Sequence, residues 1–295
     1  MKIGLALAGG GIRGIAHAGV IKALEENNIK IDAIGGTSSG SMITALYGVG
    51  YSPDEIFKLF KKFSKTIVKL NGNTIRKELK NFIFKHKLVS QGINSGEFIE
   101  RIFNEAASLK SIKNMNQLKM PVAMPAVDIH SSKKYVFTSA DIKIENYISD
   151  IEIGKAVRAS SSFPIIYEPM KYENKMFLDG GILDNMPVNE VKKLGADKII
   201  AVRFDSDRIE KKSNAIDIIM KVADIMGEQI AEENLKSADH IIEVPTDGTG
   251  IIDIEKIDYC FQSGYKTTIE QMDRIKDLTE SWQIFIKMLK LRYEK

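Results

Sequence analysis

One cysteine, four scattered histidines and no long apolar run set the first limits on this 295-residue chain. A lone Cys260 excludes an internal disulfide framework and any cysteine-rich metal site. His17, His86, His130 and His240 are scattered and show no ligand spacing. No metal or organic cofactor is expected. No run of about 18 apolar residues exists to span a membrane. The amino terminus enters directly into Ile3-Gly4-Leu5-Ala6-Leu7-Ala8, too short for a signal segment followed by a mature domain, so a cytoplasmic location is expected. Net charge is only +3, too little to imply a nucleic-acid partner. What remains, 44% hydrophobic and 27% charged residues, is the composition of a soluble globular protein.

The first fifty residues read strand, glycine loop, helix, strand, turn, helix, the order of a parallel sheet. Strands are expected at 3–8 and 31–34, and helices from Ile15 to Leu24 and from Met42 to Val49. Beyond these, the pattern predicts strands at 121–128, 134–138, 176–178, 198–204 and 240–244. Helices are expected near 152–160, 214–236, 258–276 and 281–293. Residues 53–88 read as two amphipathic helical pieces. Across 51–90 there are ten Lys+Arg against three Asp+Glu, a local balance of +7 that leaves −4 for the rest. That stretch is either an ordinary helical pair with a solvated basic face or a lid or peripheral membrane contact. No repeat or linker divides the chain, so 1–295 is expected to be one α/β domain, its mainly parallel central sheet sandwiched by helices in three layers.

Gly36-Thr37-Ser38-Ser39-Gly40 is a G-x-S-x-G sequence lying where a short apolar run ends and a helical pattern begins. A serine nucleophile is best exposed on such a strand-to-helix turn, where glycines relieve backbone crowding. Only Ser38 fits the frame, because Ser39 has no glycine two residues before it. Gly9-Gly10-Gly11-Ile12-Arg13-Gly14 follows the first strand and admits two readings. One is a dinucleotide fingerprint, with Asp32 lying 18 residues beyond Gly14. The other is an oxyanion hole built from backbone amides at a helix start. Asp32 disfavours the first, since it begins its strand, whereas a ribose-binding acid belongs at the carboxyl end.

A serine nucleophile needs a base. Asp179, at the end of an apolar strand and followed by Gly180-Gly181, is one candidate, though an Asp-Gly turn is also common without chemistry. A triad of Ser38, Asp179 and His240 would follow α/β-hydrolase chain order. However, His240 starts a strand and the nucleophile arrives early for that fold. His17 is expected to pack within its helix. Met115, Met120, Met124, Met170, Met176 and Met186 either fill gaps in the core or line an acyl pocket.

Taken in order, the Gly9–Gly14 loop, the Gly36–Gly40 elbow and the Asp179–Gly181 turn resemble the three signatures of the patatin-like phospholipases. Arg158-Ala159-Ser160-Ser161-Ser162-Phe163-Pro164 and Leu178 through Asn185-Met186-Pro187-Val188 agree with the same family. The resemblance covers about residues 3–204, with 205–295 completing the fold. It implies a Ser–Asp dyad without histidine, Ser38 as nucleophile and Asp179 as base. It also implies an oxyanion hole from the Gly9–Gly14 loop, with Gly10 and Gly11 foremost among Gly9, Gly10, Gly11, Arg13 and Gly14. Arg13 either orders that loop or attracts lipid phosphate. The implied activity is hydrolysis of lipid carboxylic esters through an acyl-enzyme. Acyl transfer to another acceptor, or a non-catalytic lipid- or nucleotide-binding regulator, are the alternatives.

Overall fold

A computed structural model describes residues 1–64, 92–205, 215–250 and 253–278. The second helical piece expected within 53–88 and the helix expected at 281–293 lie outside the described residues.

Strand β1 (Ile3–Leu7) leads through a 3-10 turn (Gly11–Ile15) into α1 (Ala16–Glu26), and β2 (Ala33–Gly36) leads into α2 (Ser39–Val49). A further helix, α3, begins at residue 53 and is described to residue 64. Next come β3 (Gly92–Asn94), α4 (Glu97–Ser108), β4 (Val122–Asp128), β5 (Lys133–Thr138), β6 (Tyr147–Ile148) and α5 (Ile153–Ser160). Three short strands, β7 (Ile165–Tyr167), β8 (Met170–Tyr172) and β9 (Lys175–Asp179), precede helices α6 (Gly181–Asp184) and α7 (Val188–Lys193). The remaining elements are β10 (Lys198–Phe204), α8 (Ala215–Leu235), β11 (His240–Val244) and α9 (Ile257–Glu270). The helix expected at 258–276 is interrupted at Gln271 and resumes at 272–278.

The central sheet runs β11-β10-β1-β2-β4-β5-β6, and its first five strands are mutually parallel. The strands alternate faces as the period of two demands. On β1, Ile3, Leu5 and Leu7 join the large core beneath α1, α2 and α9. Ala6 and Ala8 turn to the smaller core with Val188 and Val191 of α7 and Ala231 and Leu235 of α8. A sheet covered on both faces results, in three layers. Four of the six methionines, Met115, Met124, Met170 and Met186, are fully buried in these cores. Within α3 the aromatic side chains also turn inward. Phe60 is buried, Phe57 stacks on Phe261 at 4.5 Å, and Phe63 lies 6.1 Å from Phe103.

β4 shares one of its edges. Its first residues pair in parallel with β2, Ile34 opposite Val122 and Gly35 opposite Ala123. Its last residues pair antiparallel with β9, Ala126 opposite Asp179 and Asp128 opposite Phe177. Where β2 leaves the edge to form the elbow, β9 arrives and ends. The elbow and the Asp179 turn are therefore neighbours.

Candidate active site

Ser38 sits between β2 and α2 with φ 54° and ψ −120°, a backbone conformation that residues other than glycine rarely adopt. The flanking glycines make this turn sterically feasible. A Cβ on Gly36 would lie 2.3 Å from the Gly40 carbonyl oxygen, and one on Gly40 would lie 2.6 Å from that of Leu7. The turn is pinned from several sides. The Ser38 amide donates to Ser160 Oγ at 3.2 Å, and the Ser38 carbonyl accepts from Ser41 Oγ at 2.6 Å and from Ser161 Oγ at 3.2 Å. Thr37, fully buried, donates its hydroxyl to the Asp184 carbonyl at 2.7 Å. Ser39 is buried against Gly14, so the second serine of the elbow is enclosed. Ser38 stands at the amino end of the 11-residue α2, where the helix dipole favours negative charge.

Asp179 ends β9 and is 2% exposed. Its Oδ1 accepts the Gly181 amide at 2.8 Å, so the two glycines after it turn the chain back onto its own carboxylate. Burial pushes its pKa up to about 6, opposed by the neighbouring Ser38 hydroxyl and the Gly181 amide. Its Oδ2 is buried and, among the described residues, has no hydrogen-bond partner of regular geometry. The backbone around Asp179 leans on the same serine segment as the elbow: the Asp179 amide donates to the Ser162 carbonyl at 3.0 Å and Gly180 to that of Ser160 at 3.4 Å. Ser160, Ser161 and Ser162, at the end of α5, thus hold both expected catalytic residues. The sequence pattern marked this block only as a family feature; its bonds to the elbow span more than a hundred residues and leave no local signal.

The glycine loop is oriented from behind. His17 is fully buried, and its Nε2 donates to the Ala8 carbonyl at 2.8 Å. Burial drops its pKa to about 4, which keeps the ring neutral near pH 7. Arg13 is also buried, with Nε donating to the Gly10 carbonyl at 3.1 Å and its guanidinium 5.6 Å from the Phe204 ring. In a trans peptide the N–H points opposite to the carbonyl. Arg13 therefore turns the Gly11 amide away from itself, and Gly11 adopts φ 60°, for which glycine is suited. This contact favours the loop-ordering role for Arg13. Among the described residues neither the Gly10 nor the Gly11 amide donates to a protein acceptor. The Gly9 amide, expected among the oxyanion donors, is already engaged, donating to Asn185 Oδ1 at 3.1 Å. Gly14 serves as a packing position: a Cβ there would lie 2.4 Å from Ser39 Oγ.

Behind the Asp179 turn lies a buried charged cluster that sequence reasoning missed. Lys134 Nζ lies 2.7 Å from Asp184 and 2.6 Å from Glu190. Tyr147 and Lys193 complete the Glu190 side. Burial raises the Asp184 pKa to about 6 despite Lys134. Burial also opposes charge on Glu190, but Lys134 outweighs it and holds that carboxyl below its ordinary value. Asp32 is far from this end of the sheet: its Oδ2 accepts the Ile3 amide at 3.0 Å where β1 begins, as its position before the second strand implied. His240 likewise opens β11 at the sheet's edge, its Nε2 2.9 Å from Gln271 Oε1. Among the described residues no group of three His, Cys, Asp or Glu side chains is arranged to hold a metal. No described helix is long and apolar enough to cross a membrane.

The structure thus brings together an elbow serine, a buried aspartate on a glycine turn and a glycine loop whose Gly10 and Gly11 amides donate to no described acceptor. The chain belongs to the patatin-like phospholipase family, whose model matches residues 5–192. It is 36% identical over 208 residues, 69% of its length, to a protein named lysophospholipase NTE1 from Candida albicans, and 30% identical over 94% of its length to that of Coccidioides immitis. It spans only 13% and 18% of those two relatives. VipD from Legionella pneumophila shares the fold with a TM-score of 0.53 at 16% identity, covering 92% of this chain and 67% of VipD. ExoU, in its complex with SpcU from the Pseudomonas aeruginosa type III secretion system, gives 0.53 at 17% identity, covering 93% and 51%.

Proposed function

We propose that this protein hydrolyses carboxylic esters of lipids, phospholipids or lysophospholipids among them, through an acyl-enzyme on Ser38 with Asp179 as its base. The observation that carries the reading is the pairing of a strained, half-buried Ser38 with a buried carboxyl whose pKa is raised to about 6. An ordinary aspartate, near 3.9, is a poor base at neutral pH, and burial brings this one into the useful range. In the first step Ser38 Oγ attacks the ester carbonyl carbon and its proton passes to Asp179. The carbonyl oxygen becomes an oxyanion facing the Gly10 and Gly11 amides, donors worth about 3–4 kcal/mol each in acyl transfer. Collapse expels the alcohol, which takes the proton from Asp179. Water, its proton passing to Asp179, then attacks the acyl carbon, and collapse releases the fatty acid as Asp179 returns that proton to Ser38 Oγ. The names of the fungal relatives and the family membership support a lipid substrate.

Labelling the full chain with a fluorophosphonate probe, followed by peptide mapping, tests the reading. The label is expected on Ser38, and a label on Ser39, or none, sinks it. A dyad also requires that histidine be dispensable. His240→Ala is therefore expected to change turnover by less than about twofold, and a large loss with the fold preserved would restore the triad.

Cytoplasmic residence with peripheral contact at an anionic lipid surface, through residues 53–88, belongs to the same proposal. It rests on the local charge of +7, since the described aromatic side chains of α3 face the core. Lys58 and Lys62 are exposed, while Lys61 is paired with Asp258. Each basic group near an anionic membrane contributes about 1 kcal/mol. Replacing Lys58, Lys61, Lys62, Lys65 and Lys69 with Gln is expected to lower activity on anionic vesicles and to spare a small soluble ester. Equal losses on both substrates would make the segment structural.

A further inference from the structure

Asn185 follows the Asp179 turn at the end of α6 and lies between two pieces of the site. Its Oδ1 accepts the Gly9 amide at 3.1 Å, and its backbone carbonyl accepts the same N–H at 3.4 Å. There is no slack in this contact. A Cβ on Gly9 would fall 2.5 Å from Asn185 Oδ1 and 3.0 Å from Ser38 Cβ, so the Gly9 backbone is wedged between the two side chains. The peptide joining Ala8 to Gly9 is consequently clamped at both ends, its carbonyl by His17 and its N–H by Asn185.

We propose that Asn185 is a positioning residue for the reaction: its side-chain carbonyl fixes the glycine loop so that the amides beyond Gly9 meet the developing oxyanion. The inference rests on the reading of Ser38 as nucleophile. It is carried by how firmly Asn185 is itself held. Asp184, before it, is fully buried, with its carboxylate bonded to Lys134 at 2.7 Å and to Asn234 Nδ2 at 2.9 Å. The Asp184 carbonyl accepts Thr37 Oγ1 from the elbow. Met186, after it, offers its carbonyl to Asn234 Nδ2 at 3.2 Å. Gly227 of α8 closes on the Asn185 side chain, where a Cβ would lie 3.5 Å from that of Asn185. The charged cluster, the elbow and α8 thus converge on one amide oxygen, which hands their rigidity to the loop. Gly10 and Gly11 carry no side chains to restrict them, so the loop depends on its contacts, Arg13 Nε on the Gly10 carbonyl at one point and Asn185 on the Gly9 amide at the other. A displacement of about 1 Å in such a site costs on the order of 10²-fold in rate. The backbone carbonyl of Asn185 still holds part of the Gly9 contact when the side chain is removed, so the loss is set at about 10- to 100-fold.

The test uses the full chain, a small soluble p-nitrophenyl ester and a fluorophosphonate probe. Asn185→Leu keeps the volume without the acceptor, whereas Asn185→Asp keeps an acceptor. The leucine variant is expected to lose about 10- to 100-fold in kcat with KM within about twofold of wild type. Its labelling by the fluorophosphonate should slow by a similar factor, because the phosphonyl transition state uses the same donors. The aspartate variant should retain clearly more activity than the leucine variant. If Asn185→Leu fails to fold, Asn185→Ala carries the same expectation and the same ordering. A leucine variant within twofold of wild type, a loss confined to KM, or an aspartate variant no better than the leucine one overturns the inference. Wild-type protein that neither hydrolyses nor labels overturns the reading of Ser38, and the role of Asn185 with it.

Discussion

Ser38→Ala is expected to lower ester turnover by on the order of 10⁴–10⁶-fold and to abolish fluorophosphonate labelling, with the fold intact. The size follows from removing the only atom that forms the covalent bond, after which the oxyanion donors retain a small residual rate. The same position makes an independent prediction about stability. Ser38 holds a φ of 54°, and strain of this kind is worth about 1–3 kcal/mol. Ser38→Gly relieves it, while the added freedom of the unfolded chain costs up to about 1 kcal/mol. The glycine variant should therefore be inactive and unfold at or above the wild-type temperature. Calorimetry checks this, and a glycine variant several degrees less stable would show that the elbow is not strained at Ser38.

Asp179→Asn is expected to reduce turnover by about 10²–10⁴-fold, the usual contribution of a positioned base. In the wild type, kcat/KM should rise with pH through about 6 and then level, because the carboxylate is the active form and burial raises its pKa to that value. An inflection near 4 would mean that the burial effect is absent. The sign for stability is opposite to that of most aspartates. A pKa higher in the folded than in the unfolded state means that the folded state binds more protons between about pH 4 and 6. Stability from this group is fully present below about pH 4 and is lost as pH rises through 6. At one pKa unit per 1.36 kcal/mol, the loss above pH 6 is about 3 kcal/mol. Asp179→Asn removes that loss, so at pH 7–8 the variant should be at least as stable as wild type, the gain vanishing below about pH 4. A variant less stable at neutral pH would contradict the buried-charge account.

Much of the candidate site was legible because its backbone demands glycine at fixed places. Gly36 and Gly40 relieve contacts under 3 Å, and Gly180-Gly181 returns the chain to the Asp179 carboxylate. Such needs are local and appear as motifs. β1, β2, β4 and β10 were equally plain, since a strand buried on both faces is a short apolar run, whereas the edge strand β11 shows alternation, with Ile242 and Val244 buried and Glu243 exposed. Other features were hidden for physical reasons. The bonds made by Ser160 to Ser162, by Asn185 and within the Lys134–Asp184–Glu190 cluster reach across 50 to 176 residues, so even where a motif marks the residue no period reveals its partner. The short strands β3, β6, β7 and β8 hold two or three residues each, too few to show alternation. α4 is a different case, for Phe98, Ile99, Phe103, Ala106 and Ala107 lie at helical spacing and form its buried face, so its periodicity is present in the sequence.

The shared edge of β4 has a consequence for inheritance and engineering. Side chains on a strand alternate faces, so a slip of one residue between β9 and β4 would carry the Asp179 carboxyl to the opposite side of the sheet. The register of β9 on β4 is thus a ruler that sets the distance between the Asp179 carboxyl and Ser38. A one-residue slip of β9 along β4 would leave the sheet in place and still part the Asp179 carboxyl from Ser38. A two-residue slip restores the face but moves the carboxyl by about 7 Å along the strand. Register in this segment is therefore far less free to drift than sequence.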